Sequence, residues 1–288
     1  MIPFFSFPQD EKNESFKVAF LTDIHVQKEL NAERGFLSAI NKVNEINPDF
    51  VITGGDLIMD ALNQSYERSD SLFNLYSSLC DSFNMPVYNT IGNHDVFGLY
   101  KTSGVDTTHP EYGKKLYINR LGDGKSYSSF DHKGWHFILL DAIEFTPERK
   151  YIGGISQSQI DWIKTDLARL DKKTPIVLST HIPFISVSKQ ILEGSTAALT
   201  EVIVVKNSKE ILALFEGYNL KLVLQGHLHI VEEIIFKETH FITGGAVSGN
   251  WWKGSHYGFE EGFVIIEFYE SDFNWEYIDY GWEVKETK

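Results

Sequence analysis

Apolar runs in this 288-residue chain end again and again in side chains that bind metals. The segments Phe20-Leu21-Thr22-Asp23-Ile24-His25, Val51-Ile52-Thr53-Gly54-Gly55-Asp56, Ile91-Gly92-Asn93-His94-Asp95, Leu178-Ser179-Thr180-His181 and Leu224-Gln225-Gly226-His227-Leu228-His229 share this form. A buried strand that ends once in Asp or His needs no special account. Five ends bearing carboxylate, amide and imidazole are what strands delivering ligands to one edge of a sheet look like. Any one of these residues alone reads as a core histidine, a turn or an N-cap, but packing does not demand the set. The chain therefore reads as a metalloenzyme.

The spacing says more. In Asp23-Ile24-His25 and His227-Leu228-His229 the donors stand at i and i+2, which an extended chain places on one face. With Asp56, Asn93 and His181 they make seven oxygen and nitrogen donors, too many for one tetrahedral zinc. Such a set suits two cations sharing a bridging carboxylate, with positions left for water and substrate. Donors without sulfur favour Mn, Fe or Zn, as divalent or mixed-valence ions.

Composition narrows the partners. A formal net charge of −14 provides no basic face, so neither a nucleic-acid polymer nor an anionic membrane is expected as partner. Bound cations would still make the site itself attractive to a phosphate. With 42% hydrophobic residues the chain has enough apolar side chains for a large core. Cys80 is the single cysteine, which excludes an internal disulfide, and apolar residues at 72, 75, 76 and 79 assign it to a helix packed on the core. The segment 1–8 is apolar but lacks basic residues and is broken by prolines, so no signal peptide is read there, and a cytoplasmic location is the default. No run approaches the ~18 apolar residues of a membrane span.

From 16 to 95 the pattern alternates strand and helix, as parallel βαβ units do. Strands are expected at 17–23, 49–54 and 86–90. Between them fall a helix with Phe36, Ile40, Val43 and Ile46 on one face, stopping before Pro48, and a helix over 69–83. Residues 96–125 show no period and read as a long excursion. The runs 126–130 and 135–140 flank a four-residue turn at 131–134 and suggest a hairpin. A capping box at Ser156 and Gln159 opens a helix carrying Ile160, Ile163 and Leu167. Strands at 175–179 and 220–224, separated by a helix over 208–215, deliver His181 and His227, and 231–236, 240–243, 262–268 and 275–280 read as antiparallel strands. With no linker, repeat or low-complexity tract, one domain over 1–288 is expected, including the β-rich segment from about 230 onward.

The ordered set Asp-x-His, Gly-Asp, Gly-Asn-His-Asp, His and Gly-His-x-His resembles the calcineurin-like metallophosphoesterases, all blocks being present in order from 23 to 229. The resemblance implies an α/β fold: a four-layer αββα sandwich of two mixed sheets flanked by helices, with a dinuclear site at the strand ends. It further implies that Asp23, His25 and His229 hold one metal, that Asn93, His181 and His227 hold the other, and that Asp56 bridges. His94 would stay unligated, contact the transferring phosphoryl group and protonate the leaving oxygen after attack by a metal-activated hydroxide. Asp95 either orients that imidazole or serves a structural hydrogen bond.

A Gly-rich stretch from 244 to 256 holds Trp251, Trp252, Lys253 and His256 and resembles the C-terminal segment of bacterial cyclic-nucleotide phosphodiesterase-like members. Either the tryptophans stack on a base while Lys253 meets a phosphate, or they cover the end of a sheet. Phosphodiesters, cyclic nucleotides among them, are the expected small-molecule substrates. A phosphomonoesterase is the alternative, and from another class a binding scaffold that kept the fold without the chemistry. A monoester's second charge often wants an arginine, and no arginine adjoins a ligand block. Arg149 is the one considered for that task, as a clamp or as a solvated charge. His109, His132, His136 and His240 lie outside the blocks and are read as surface or hydrogen-bonded residues.

Overall fold

A computed structural model describes residues 15–284. The segment 1–8, in which no signal peptide is read, lies outside them. The strands and helices follow one another as β1 (Phe16–Leu21), α1 (Ala32–Ile46), β2 (Phe50–Thr53), α2 (Tyr66–Cys80), β3 (Val87–Asn89), α3 (Lys115–Arg120), β4 (Ser128–His132) and β5 (Trp135–Leu139). They continue as β6 (Ile143–Phe145), β7 (Tyr151–Gly153), α4 (Gln157–Leu167), β8 (Pro175–Thr180), α5 (Ser188–Glu193), α6 (Ser208–Leu214), β9 (Asn219–Gln225), β10 (Val231–Phe236), β11 (Thr239–Gly244), β12 (Gly262–Tyr269) and β13 (Asp272–Asp279).

Two large mixed sheets face each other. One has the order β13-β12-β1-β2-β3, the other β10-β11-β9-β8-β5-β4, and β6 and β7 form a small hairpin apart from both. The alternation in β1 shows why the layers stack as they do. Phe16, Val18 and Phe20 enter the core between the sheets, where they meet Trp135, Phe137 and Leu139 of β5, while Ala19 and Leu21 join the core beneath the helices. Both faces of such a strand are covered, so its sequence is an almost unbroken apolar run. Each buried Phe there contributes about 1.5–3 kcal/mol. On the outer side, α1 turns Phe36, Ala39, Ile40 and Val43 inward, and Phe36 stacks on Tyr76 of α2 with ring centroids 6.0 Å apart. Helix α4 buries Ile160, Ile163 and Leu167 on the second sheet as its spacing predicts.

The structure departs from the sequence reading in instructive places. Only half of the capping box forms: Ser156 accepts the backbone N–H of Gln159, while the Gln159 side chain is drawn away to both backbone groups of Asp141. The hairpin turn is tighter than expected, because pairing of His132 with Trp135 leaves Lys133 and Gly134 as the turn, both with positive φ. Strand β11 is not antiparallel to all its neighbours. It pairs parallel with β9, with β10 on its far side. The excursion after residue 95 contains α3 and is pinned at its base by a bridge between Phe97 and Gly113. Arg149 is neither a phosphate clamp nor a solvated charge. Its guanidinium donates to the carbonyls of Gly98, Leu99 and Val105 and lies over Tyr112, fastening that excursion to the β6–β7 hairpin. Cys80 packs partly buried on the helix-side core, and burial pushes its thiol up to about 12, which leaves it inert at neutral pH. Among the described residues no helix is long and apolar enough to cross a membrane.

His136 points from β5 to the helix side between two carboxylates, Asp131 at 2.6 Å and Asp166 at 2.9 Å. Burial pulls its pKa down, but the two hydrogen bonds prevail and raise it above the ordinary 6.5. A raised value stabilises the fold fully below about pH 6.5 and loses that contribution as pH climbs through the folded value. Replacing His136 with Leu should cost about 1–3 kcal/mol at pH 6. The gap between variant and wild type should narrow at pH 9, as read by urea unfolding at the two pH values. An equal gap at both would show that the imidazolium contributes nothing.

Candidate metal centre

The parallel strands of both sheets run toward one edge, and the blocks that follow β1, β2, β3, β8 and β9 converge there. Asp23, His25 and His229 bring ligand atoms within 4.8 Å of one another, as do Asp56, His181 and His227, and His25, Asp56 and His94 form a third such group between them. Asn93 is buried against the second group, its Oδ1 3.1 Å from His181 Nε2. Asp23, His25, Asp56, Asn93, His181, His227 and His229 are thus brought to one place.

Their backbone is not extended. Asp23, His25, Asp56, His227 and His229 all have φ between 47° and 73°, so the left-handed turn that follows each strand, and not strand alternation, aims the paired donors. Such conformations cost non-glycine residues free energy and persist only where surroundings hold them. Here the 22–26 segment is held from both sides. Asp23, His25 and Val26 donate backbone N–H groups to Gly55, Asp56 and Leu57, while Thr22 and Asp23 accept from Val247 and Ser248. Close approach of these turns excludes side chains: a Cβ on Gly92 would stand 2.1 Å from Asp56 N, and one on Gly226 2.1 Å from Thr22 Oγ1.

Five of the donors, Asp23, Asp56, His181, His227 and His229, spend one atom on the protein and turn the other to the centre. Asp23 Oδ2 accepts from Thr22 Oγ1 at 2.7 Å and His227 N at 2.9 Å, and its buried Oδ1 has no hydrogen-bond partner. Asp56 Oδ1 accepts from His94 N at 2.8 Å, leaving Oδ2 facing His181 at 3.2 Å and His25 at 3.7 Å. His181 Nδ1 donates to Gly54 O, His229 Nδ1 to Gly249 O, and His227 Nε2 to Val202 O. A carbonyl can only accept, so each contact fixes the tautomer and leaves the other nitrogen's lone pair inward. His25 Nε2 and His229 Nε2 face each other at 3.1 Å, and His25 Nδ1 is buried without a partner.

Charge follows the same pattern. Burial, with His94 and His229 nearby, holds His25 well below the usual imidazole range, and burial beside His181 lowers His227 to about 4. Burial opposes charge on Asp23, but the imidazole of His229 outweighs it and brings the carboxyl down to about 2. Burial would lower His181 too, yet the Asp56 carboxylate keeps it at about 9. Imidazoles beside ionised carboxylates, with an orphaned carboxylate oxygen between them, fit divalent cations at both groups.

His94 Nδ1 donates to Met59 O at 2.7 Å and lies 3.6 Å from Asp60, which turns Nε2 to the centre. Asp95 does not orient it. The Asp95 carboxylate accepts from the backbone N–H groups of Leu57, Ile58 and Gly92 and so braces the Asp56 and Asn93 turns from beneath.

The C-terminal loop divides. Trp251 stands against the centre, its ring 4.4 Å from His229 and 5.9 Å from His25. His256 lies 5.6 Å from His229, and both residues line a cleft of about 210 Å³ with Leu192 of α5, Tyr257, His227 and His229. Trp252 cannot stack on a ligand. It is 1% exposed, packs on Gly35 of α1 where any Cβ would collide with it, and donates its indole N–H to His25 O at 3.0 Å. Lys253 is exposed and does not line the cleft.

Other residues at the centre carried no sequence signal. Tyr151 of β7 meets His227 edge-on with ring centroids 6.0 Å apart, and burial together with the Asp56 charge raises its pKa. The carbonyls of Gly54, Met59, Val202 and Gly249 belong to the same class, because a backbone acceptor looks alike in every residue. His132, His136 and His240 pair with acidic residues away from the centre, and His109 packs on Tyr66 and Phe97.

Comparison with known proteins agrees with this geometry. The chain is similar to the 3′,5′-cyclic adenosine monophosphate phosphodiesterase CpdA of Haemophilus influenzae, with 23% identity over 74% of this chain and 69% of the relative. It is also similar to a probable cyclic nucleotide phosphodiesterase of Psychrobacter arcticus, with 27% identity over 64% of this chain and 58% of the relative, which is less than two thirds of that protein's length. In fold it is like a dimetal phosphatase from Danio rerio, with a TM-score of 0.66 and 15% identity over 92% of this chain and 96% of that one. The sequence model of the calcineurin-like phosphoesterases matches residues 16–231, and the chain belongs to that family.

Proposed function

We propose that the chain hydrolyses phosphodiesters with two divalent cations, taking small substrates that include 3′,5′-cyclic nucleotides. The observation that carries the proposal is the division of labour within Asp23, Asp56, His181, His227 and His229, where the outer atom is bound to backbone or hydroxyl and the inner atom is left for a cation. Asp23, His25 and His229 would hold one ion, Asn93, His181 and His227 the other, and Asp56 would serve both, with Mn, Fe or Zn suited to the donors. Cations held there polarise a phosphoryl group and offset the charge that develops on it.

The chain's own part is proton transfer and placement. With Nδ1 committed to the Met59 carbonyl, the proton that His94 can give lies on Nε2, and the leaving oxygen takes it as its bond to phosphorus breaks. Asp60 stabilises the imidazolium that gives it. Trp251 offers a flat face beside the centre for a base, and His256 and Tyr257 close that wall of the cleft. Diesters are favoured over monoesters because no guanidinium serves the site. Arg149 is spent on loop carbonyls, and Lys189, which lines the cleft, pairs with Glu193. A scaffold without chemistry is disfavoured by the full donor set and an intact His94. The names of the bacterial relatives support the cyclic-nucleotide reading.

Protein loaded with Mn should hydrolyse bis(p-nitrophenyl) phosphate, and His94→Ala should lower kcat about 100-fold or more with metal content unchanged by elemental analysis. Turnover untouched by that substitution would overturn the assigned role. Trp251→Ala should raise KM for cyclic AMP about tenfold while leaving KM for a small aryl phosphate nearly unchanged. Equal effects on both substrates would remove the stacking role.

A further inference from the structure

We infer that α5 is the second wall of a nucleobase slot, and that its pair of Lys189 and Glu193 selects guanine over adenine in the cyclic ester that is cleaved. The inference rests on the cyclic-nucleotide reading above. The cleft beside the centre is lined by α5 with Ile203, by the 227–230 block that carries two metal donors, and by the loop of Trp251 and Tyr257. Each wall is tied to one imidazole of that block. His227 Nε2 donates to the carbonyl of Val202 at 2.9 Å, next to Ile203, and His229 Nδ1 donates to the carbonyl of Gly249, shortly before Trp251. The spacing of the walls is therefore set by the same turn that aims the donors.

The α5 side is held at several points. Val187 N donates to Glu232 Oε1 of β10 at 2.8 Å, Gln190 Nε2 to the carbonyl of Ala197 at 2.6 Å, and Gly153 N of β7 to the carbonyl of Glu201 at 2.6 Å. Between the walls lie about 210 Å³, room for a single ring system. Leu192 and Tyr257 are left 44% and 65% exposed there, apolar surface that a flat ring stacked on Trp251 covers.

The polar groups of α5 name the ring. Lys189 and Glu193 both line the cleft, one helical turn apart, and pair with each other and with no other charged group among the described residues. A carboxylate only accepts and an ammonium only donates. Guanine presents the N1 and N2 donors side by side and then the O6 acceptor, so the carboxylate takes both protons and the ammonium gives one to O6. Such bonds to charged groups are the strong ones. Adenine offers the carboxylate a single donor at N6 and the ammonium an acceptor at N1, which leaves one carboxylate oxygen unmatched. A site built around hydrogen bonds turns away the analogue that leaves one unmade.

The test compares wild type with Glu193→Gln and Leu192→Ala, all loaded with Mn. Wild type should show kcat/KM for cyclic GMP about tenfold above that for cyclic AMP, and Glu193→Gln should bring the ratio near one, because its amide sets a donor against the donors of guanine. Leu192→Ala should raise KM for both nucleotides together and keep the wild-type ratio. Guanosine and adenosine carry no phosphate and are not turned over, so calorimetric titration with them reads the slot apart from the metals. Guanosine should bind wild type about tenfold more tightly than adenosine, and the two should bind Glu193→Gln alike. Wild type that favours cyclic AMP or neither nucleotide overturns the inference, as does a preference that survives Glu193→Gln. Wild type that cleaves bis(p-nitrophenyl) phosphate but neither cyclic nucleotide would instead overturn the cyclic-nucleotide reading beneath it.

Discussion

Everything at the strand edge depends on one requirement: a buried side chain with two hydrogen-bonding atoms must satisfy both, and Asp23, Asp56, His181, His227 and His229 satisfy only one of them with backbone or hydroxyl groups. Backbone carbonyls take the outer nitrogens of His94, His181, His227 and His229, and hydroxyl or amide protons take the outer oxygens of Asp23 and Asp56. What remains is a set of inward lone pairs with no protein protons to receive. In a protein interior an unmatched polar atom costs about 1–3 kcal/mol, so this arrangement is tolerable only as one half of a larger complex. Asp23 Oδ1 is the atom where that debt is plainest.

Carbonyls can be aimed in this way only if the chain turns sharply as each strand ends. The left-handed residues at 23, 25, 56, 227 and 229 perform that turn, and the bonds between the 22–26, 55–58 and 245–249 segments hold it. Glycines at 92 and 226 let neighbouring turns touch. Trp252 fills the space beneath, bound to the carbonyl of His25 and wedged on α1, so the helix layer and the centre share a side chain. The placement of the donors is thus inherited from the sheets through the turns.

Much of this was legible in the sequence because strand ends and glycines leave strong local patterns. The donor set follows from the ligand-bearing blocks and the two-sheet α/β architecture from the family resemblance they carry, while α1, α4, β8 and β9 fall close to where apolar spacing puts them. What escaped is chemistry decided by contacts far apart in the chain. Asp95 sits beside His94 in sequence, but it turns to three backbone amides on the other side of its loop. The adjacent tryptophans have opposite surroundings because the loop is left-handed at both, sending one ring to the cleft and the other into the core. Arg149 holds carbonyls some fifty residues earlier, which no local pattern reveals. Strands β6 and β7 are too short to show a period.

One pairing in the first sheet bears on how the molecule comes into being. Strand β1 lies between β2, its near neighbour in sequence, and β12, with Phe16 opposite Phe268. The centre of the sheet is therefore closed by two segments far apart in sequence, and Val247 and Ser248, which steady the turn bearing Asp23, precede the later of them. Contacts of such sequence separation are entropically slow to form. During synthesis β1, β2 and β3 can emerge and pair long before β12 exists, leaving one side of β1 as an open edge until β12 has left the ribosome. The turn bearing Asp23 thus receives its last hydrogen bonds from a segment 225 residues further along.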